Sequence, residues 1–179
     1  MHSEPMFTPT LEQQDFVTGC CPRFDPAPWD VKEVSWDRKP FVCEHVRSVF
    51  HVPLGMPRHV MHAQERIDAA HARAERPWML GEDLSAWRSN LFIEVSKEVP
   101  GVEMAYLSGT FLTKVFEGSF KDAPRWEREM RQLLESRNQR ADKLYLGYTT
   151  CPKCAKAYGK NYVVLFARIS PRPTAQVPS

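Results

Sequence analysis

Apolar residues recur along the chain with two different periods. Residues 41–52 are dense in Val and Phe without helical spacing, which predicts a strand. The run Pro53-Leu54-Gly55-Met56 breaks it, and Pro57 stands where proline favours the first turn of a helix. Val60, Gln64, Ile67 and Ala70 follow at helical spacing, and this helix ends before Pro77. A short strand at 78–80 and another at 91–99 come next. In the latter Leu91, Ile93, Val95, Lys97 and Val99 share one face, with Phe92 and Glu94 on the other. The second half runs the same course. Residues 104–117 predict a long strand, bent near Gly109, and Pro124 opens a helix with the apolar stripe Trp126, Met130, Leu133 and Leu134. Strands at 143–149 and 162–169 complete it. Either half alone would expose an apolar sheet face. The pattern therefore predicts an α+β domain of duplicated strand-helix-strand-strand units, forming an antiparallel sheet with two helices on one face.

The expected organisation is a flexible leader over 1–17, a single domain over 18–170 and a disordered tail over 171–179. Within the domain the first repeat spans 40–100 and the second 101–170. The Pro-rich stretch 21–36, CPRFDPAPWDVKEVSW, is too irregular for a helix and predicts an extended segment clamped onto the surface.

Composition narrows the function classes. Across 179 residues, 24 Lys and Arg stand against 22 Asp and Glu, a net charge of +2 that gives nucleic acid or an anionic membrane no electrostatic hold. A hydrophobic fraction of 42% suffices for a real core, and no apolar run approaches the ~20 residues of a membrane span. The first residues lack the basic start and apolar stretch of a secretion signal, so a cytoplasmic location is expected.

Five cysteines without such a signal argue against a disulfide scaffold. Cys151 and Cys154 form a CxxC that reads as a turn between two strands, which favours metal over redox use. Cys20 and Cys21, in a turn-like segment, are the natural suppliers of further ligands to a structural zinc. One of them with a His or Asp is the alternative, and a redox pair or plain buried thiols are the others. Cys43, in an apolar strand, reads as a small hydrophobe. His45 and His51 lie far apart on one strand, His59 and His62 are three apart on a helix, and no His-Glu-x-x-His occurs. A catalytic histidine-bound metal is therefore not expected.

The two halves, with Phe92-Ile93-Glu94-Val95, Leu107-Ser108-Gly109-Thr110-Phe111 and the Phe116-Glu117-Gly118 corner before Pro124-x-Trp126, resemble the GyrI-like small-molecule-binding superfamily. Effector-binding domains of multidrug-responsive regulators and SOUL-type haem-binding proteins belong to that superfamily. Cys20-Cys21-Pro22-Arg23-Phe24 together with residues 149–162, TTCPKCAKAYGKNY, resembles a group of small bacterial proteins that carry the general label hydrolase. The resemblance implies a concave sheet face forming a ligand pocket along the pseudo-dyad, used by some members for hydrolysis and by others for binding alone. No helix-turn-helix pattern precedes the repeats, so a transcription factor is not expected.

Within such a pocket, Glu117 at a strand end and Glu94 beside Phe92 are the candidate general acid or base, and both read equally as solvated strand residues. Trp87, Tyr106, Tyr145, Tyr148 and Phe92 are candidate aromatic walls for a planar ligand, against simple core packing. Tyr145 and Tyr148 have opposite parity on one strand, so they cannot both face the pocket. The expected function is small-molecule binding, with hydrolysis of an aromatic or electrophilic ligand in the sheet cleft. The alternatives are a non-enzymatic sequestering or interaction protein with a structural zinc, and a thiol redox protein.

Overall fold

The computed structural model describes Thr18 and residues 20–171. The expected leader over 1–17 and the tail from 172 onward lie outside the described residues. Strand β1 (Lys32–Val49) leads through β2 (Val52–Pro53) into helix α1 (Met56–Ala69), then β3 (Met79–Ser85) and β4 (Arg88–Glu94). The second half repeats the order with β5 (Met104–Glu117), α2 (Ala123–Ser136) and β6 (Gln139–Tyr148). A short helix, α3 (Pro152–Tyr158), precedes β7 (Tyr162–Pro171). The α+β class, the duplicated unit and the antiparallel pairing are as the sequence pattern predicts.

Closure is what the pattern did not announce. The sheet order is β2-β1-β4-β3-β6-β7-β5, and β5 pairs back onto β1, so all strands but β2 form an antiparallel barrel. β1 starts at Lys32, well before Phe41, because Val34 and Trp36 already turn inward while Lys32, Glu33 and Ser35 face solvent. That early stretch pairs with Gly109–Thr113 of β5, and the closure depends on it. The strand expected over 91–99 stops at Glu94. Val95 makes only an isolated bridge to Arg73, and Val99 is buried from a loop.

The barrel has two apolar surfaces. Phe41, Cys43, Leu80, Phe92, Phe111, Tyr145, Val164 and Phe166 fill its interior. Outside, α1 lays Ala63 and Ile67 on Val42, Leu91 and Ile93, while α2 lays Trp126, Met130 and Leu134 on Leu112, Val163 and Leu165. Trp126 stacks on Phe116 with ring centroids 5.5 Å apart. Both helices begin with proline in the first turn, where its missing N–H costs nothing.

The segment before β1 acts as a strap over one end of the barrel. Phe24 sits edge-on to Trp78 at 6.4 Å, and Trp29 meets Trp78 at 4.8 Å and Phe166 at 6.0 Å. The Trp29 carbonyl accepts from the fully buried Thr113 hydroxyl at 2.6 Å, and the Val115 N–H donates to Asp30 at 3.1 Å. Three prolines (Pro22, Pro26 and Pro28) stiffen it by fixing φ.

Candidate functional site

At the strap's N-terminal end two distant parts of the chain meet. The CxxC does not lie in a simple turn. Cys151 is the extended residue that starts α3 and Cys154 lies within its first turn. Pro152 at the first helical position initiates this helix, Ala155, Lys156 and Ala157 extend it, and Gly159 ends it in the left-handed conformation at φ 71°. Cys20 and Cys21 approach from the strap. The Tyr158 hydroxyl donates to the Cys21 carbonyl at 2.5 Å, and the Arg23 guanidinium lies 4.8 Å from the Tyr158 ring centroid.

The sulfurs of Cys20, Cys21, Cys151 and Cys154 all lie within 4.8 Å of one another. Cys20 Sγ is 3.7 Å from Cys21 Sγ and 3.9 Å from Cys151 Sγ. Four thiolates around a tetrahedral zinc, each at about 2.3 Å, would stand about 3.8 Å apart, so this arrangement could hold a metal ion. The vicinal pair is no obstacle, because both of its sulfurs reach the cluster. The electrostatics are uneven. The Thr18 hydroxyl, 3.2 Å from Cys154 Sγ, is the main cause that holds that thiol down to about 6, whereas burial pushes Cys21 up to about 12.

Beside this cluster opens a cleft of about 190 Å³ lined by Arg23, Phe24, Thr150, Tyr158, Lys160 and Tyr162. Its walls are three aromatic rings, Phe24 and Tyr162 having centroids 5.8 Å apart. Two cations stand at its edge. The Thr150 hydroxyl is buried there without a hydrogen-bond partner among the described residues. Sequence reasoning missed this cleft. Its residues come from the strap, α3 and β7, and only the docked strap brings them together.

The predicted pocket residues are dispersed. Glu117 is exposed but close to the cleft: it pairs across the sheet with Tyr162 and lies 3.7 Å from Lys160 Nζ. Glu94 is engaged elsewhere, accepting from Lys39 Nζ at 2.7 Å and the Trp78 N–H at 3.0 Å. Phe92 and Tyr145 pack together in the barrel interior, centroids 5.8 Å apart, and burial pushes the Tyr145 phenol up to about 12. Tyr148 lies on the outer face against Phe120, so the opposed parity of the two tyrosines is real. Tyr106 is exposed beneath the Arg38 guanidinium, and Trp87 is exposed against Phe50. The barrel interior, where the concave pocket was expected, is filled by its own aromatic side chains, and the strap covers its end.

Comparison with known proteins bears on family and fold. Residues 11–169 match the model of a family described as bacterial hydrolase. Among curated proteins none matches. Three Listeria innocua crystal structures share the fold. One is an uncharacterized conserved protein, 13% identical, with a TM-score of 0.61, covering 78% of this chain and 91% of its own. The second is a hydrolase at 13% identity and TM-score 0.58, covering 79% of this chain and 93% of its own. The third, also a hydrolase, is 14% identical with a TM-score of 0.57, covering 78% of this chain and 91% of its own. Among the described residues, no helix is long and apolar enough to cross a membrane.

Proposed function

Since the chain belongs to the bacterial hydrolase family, we propose that it is a small-molecule-binding protein, of GyrI-like kind, that takes a planar anionic ligand in the strap cleft. The observation that supports this reading is the cleft's make-up. Phe24, Tyr158 and Tyr162 offer ring faces, Arg23 and Lys160 offer charge, and Thr150 holds an unpartnered hydroxyl. Zinc held by Cys20, Cys21, Cys151 and Cys154 serves structure here, because four thiolates close its coordination and leave no open position for substrate. Its role is to tie the strap to α3 and so keep Arg23 and Phe24 in the cleft wall.

Hydrolysis at this site would fall to Glu117, which stands beside Lys160 on the rim and can take a proton from water. Anilinonaphthalene sulfonate serves as the probe. Saturable binding is expected in the wild-type protein, weakened about fivefold by Lys160→Ala, the loss of roughly 1 kcal/mol from one exposed charge. Glu117→Gln should leave that binding intact and abolish any turnover of an aryl ester. Equal probe affinity in wild type, Lys160→Ala and Tyr162→Ala would refute the cleft. A metal assay on the purified chain should find zinc that Cys151→Ser removes. A metal-free protein that reduces a disulfide reporter would favour redox chemistry, for which the CxxC opening α3 is the supporting geometry.

A further inference from the structure

The barrel's other polar feature lies in the layer next to Cys43, Phe92 and Tyr145. Two residues beyond Cys43 on the same face of β1 stands His45, and its register partner on β4 is Asn90. Asn90 in turn pairs across the sheet with Glu82 of β3. Glu103 is brought alongside by the chain entering β5, where its carbonyl accepts from the Cys43 N–H at 2.9 Å. Each of these residues reads on its own as an ordinary polar strand position. Closure of the barrel joins them.

They form a continuous chain of hydrogen bonds. Glu103 Oε2 lies 2.9 Å from His45 Nε2, and His45 Nδ1 lies 2.8 Å from Asn90 Oδ1. The Asn90 amide donates to Glu82 Oε2 at 3.2 Å, and Lys143 Nζ donates to Glu82 Oε1 at 2.7 Å. Lys143 neutralises the Glu82 carboxylate, which is buried. Asn90 donates to that carboxylate through its nitrogen, so its oxygen is left to face His45. That oxygen can only accept, so Nδ1 donates to it, and Nε2 is the nitrogen that faces Glu103, sharing the proton that joins ring and carboxylate; a divalent ion bound between the two would take that proton's place. An imidazole whose second nitrogen is fixed by an outer hydrogen bond is the usual state of a metal-ligating histidine.

The third donor is at hand. The ligand atoms of Cys43, His45 and Glu103 all lie within 4.8 Å of one another, Cys43 being buried and the other two exposed. We propose that Cys43, His45 and Glu103 form a second metal site that takes a zinc-class divalent ion with a position left open to solvent. Asn90 and Glu82 act as its positioning residues. The donor set of one thiolate, one imidazole and one carboxylate suits zinc or cobalt better than calcium or magnesium, which require oxygen ligands. Three protein ligands, two of them at the surface, leave room for a water. In this it differs from the closed four-cysteine cluster. It is also independent of that cluster, sharing no residue with it.

Zinc titration of the full-length chain against a competing chelator dye tests the proposal. The wild type is expected to bind one equivalent beyond any that Cys151→Ser removes. Cys43→Ala and His45→Ala should each abolish this extra equivalent and leave the Cys151-dependent one in place. Asn90→Ala should keep all three ligands yet weaken the site about 10- to 100-fold, the usual effect of losing an outer-shell partner. Thermal melts without metal identify any variant that has not folded, and cobalt substitution supplies a second readout, a thiolate-to-metal absorption band lost in Cys43→Ala. The proposal is overturned if the wild type binds no such equivalent, or if Cys43→Ala and His45→Ala both retain it at wild-type affinity. Failure of the four-cysteine reading would look different, with Cys151→Ser changing nothing.

Discussion

Replacing Thr113 by Val tests how firmly the strap is fixed. Thr113 is fully buried and shares its single hydroxyl proton between the Trp29 carbonyl at 2.6 Å and the Lys32 carbonyl at 3.0 Å. Valine matches its shape and suits a strand, so packing and propensity change little. What is lost is the bond, and the Trp29 carbonyl, partly buried, is left without its partner. That imbalance costs about 1–3 kcal/mol, and a loss of about 2 kcal/mol lowers the Tm of a chain this size by about 4–8 °C. The strap should also open more often, because the Trp29 carbonyl is one of its two hydrogen-bonded anchors next to β1, the other being Asp30. At about 2 kcal/mol the opening equilibrium rises roughly 30-fold. Trypsin cleavage after Arg23, followed under native conditions in metal-free buffer, should speed up by a similar factor. Thr113→Ser separates the causes: it keeps the hydroxyl and loses one methyl, about 1 kcal/mol of packing, without faster cleavage at Arg23. A Thr113→Val chain with wild-type Tm and wild-type cleavage would show that this hydroxyl holds nothing.

Two further outcomes follow from packing and charge. A Cβ at Gly147 would come within 2.7 Å of Phe166 and 3.0 Å of Trp78 inside the barrel, so Gly147→Ala should lower stability by about 1–3 kcal/mol in urea titrations. Gly55→Ala meets nothing within 4 Å and should cost only the ~1 kcal/mol of its left-handed backbone. The Arg168 guanidinium, hydrogen-bonded to Asp142, holds that carboxyl below its usual value. A depressed carboxylate contributes stability above its unfolded pKa and loses it as pH falls through the folded value. Asp142 is half exposed, which limits the effect to under about 1 kcal/mol. Asp142→Asn should therefore be slightly less stable than wild type at pH 7, and the gap should close as the pH falls past the ordinary carboxylate value of 3.8 and through the lower folded one. A gap that stays constant with pH would contradict the assignment.

The elements most legible in the sequence were those whose signal is local. The limits of β5 coincide with the alternating run 104–117, and the stripe Trp126, Met130 and Leu134 is the buried face of α2. Helix α3 was hidden because seven residues between a proline and a glycine carry the same punctuation as a turn. Parity showed that Tyr145 and Tyr148 face opposite ways, but a flat pattern does not say which face becomes an interior. The contact of β1 with β5 decides that, and it joins residues far apart in sequence. The cysteine cluster was legible as chemistry, since Cys20, Cys21, Cys151 and Cys154 stand out by type. The chain from Glu103 through His45 and Asn90 to Glu82 was not, because its members are common polar residues on three strands and the entry to a fourth.

A sheet that meets itself leaves newcomers little vacant lip. Among the described residues, each barrel strand has a neighbour on either side over at least part of its length, and gaps remain, as on β6, whose residues 139–145 lie beyond its three-residue pairing with β3. Away from such gaps a companion must grip this protein by side chains. The protruding rings of Phe50 and Trp87 at the hairpin tips are the most conspicuous handholds described.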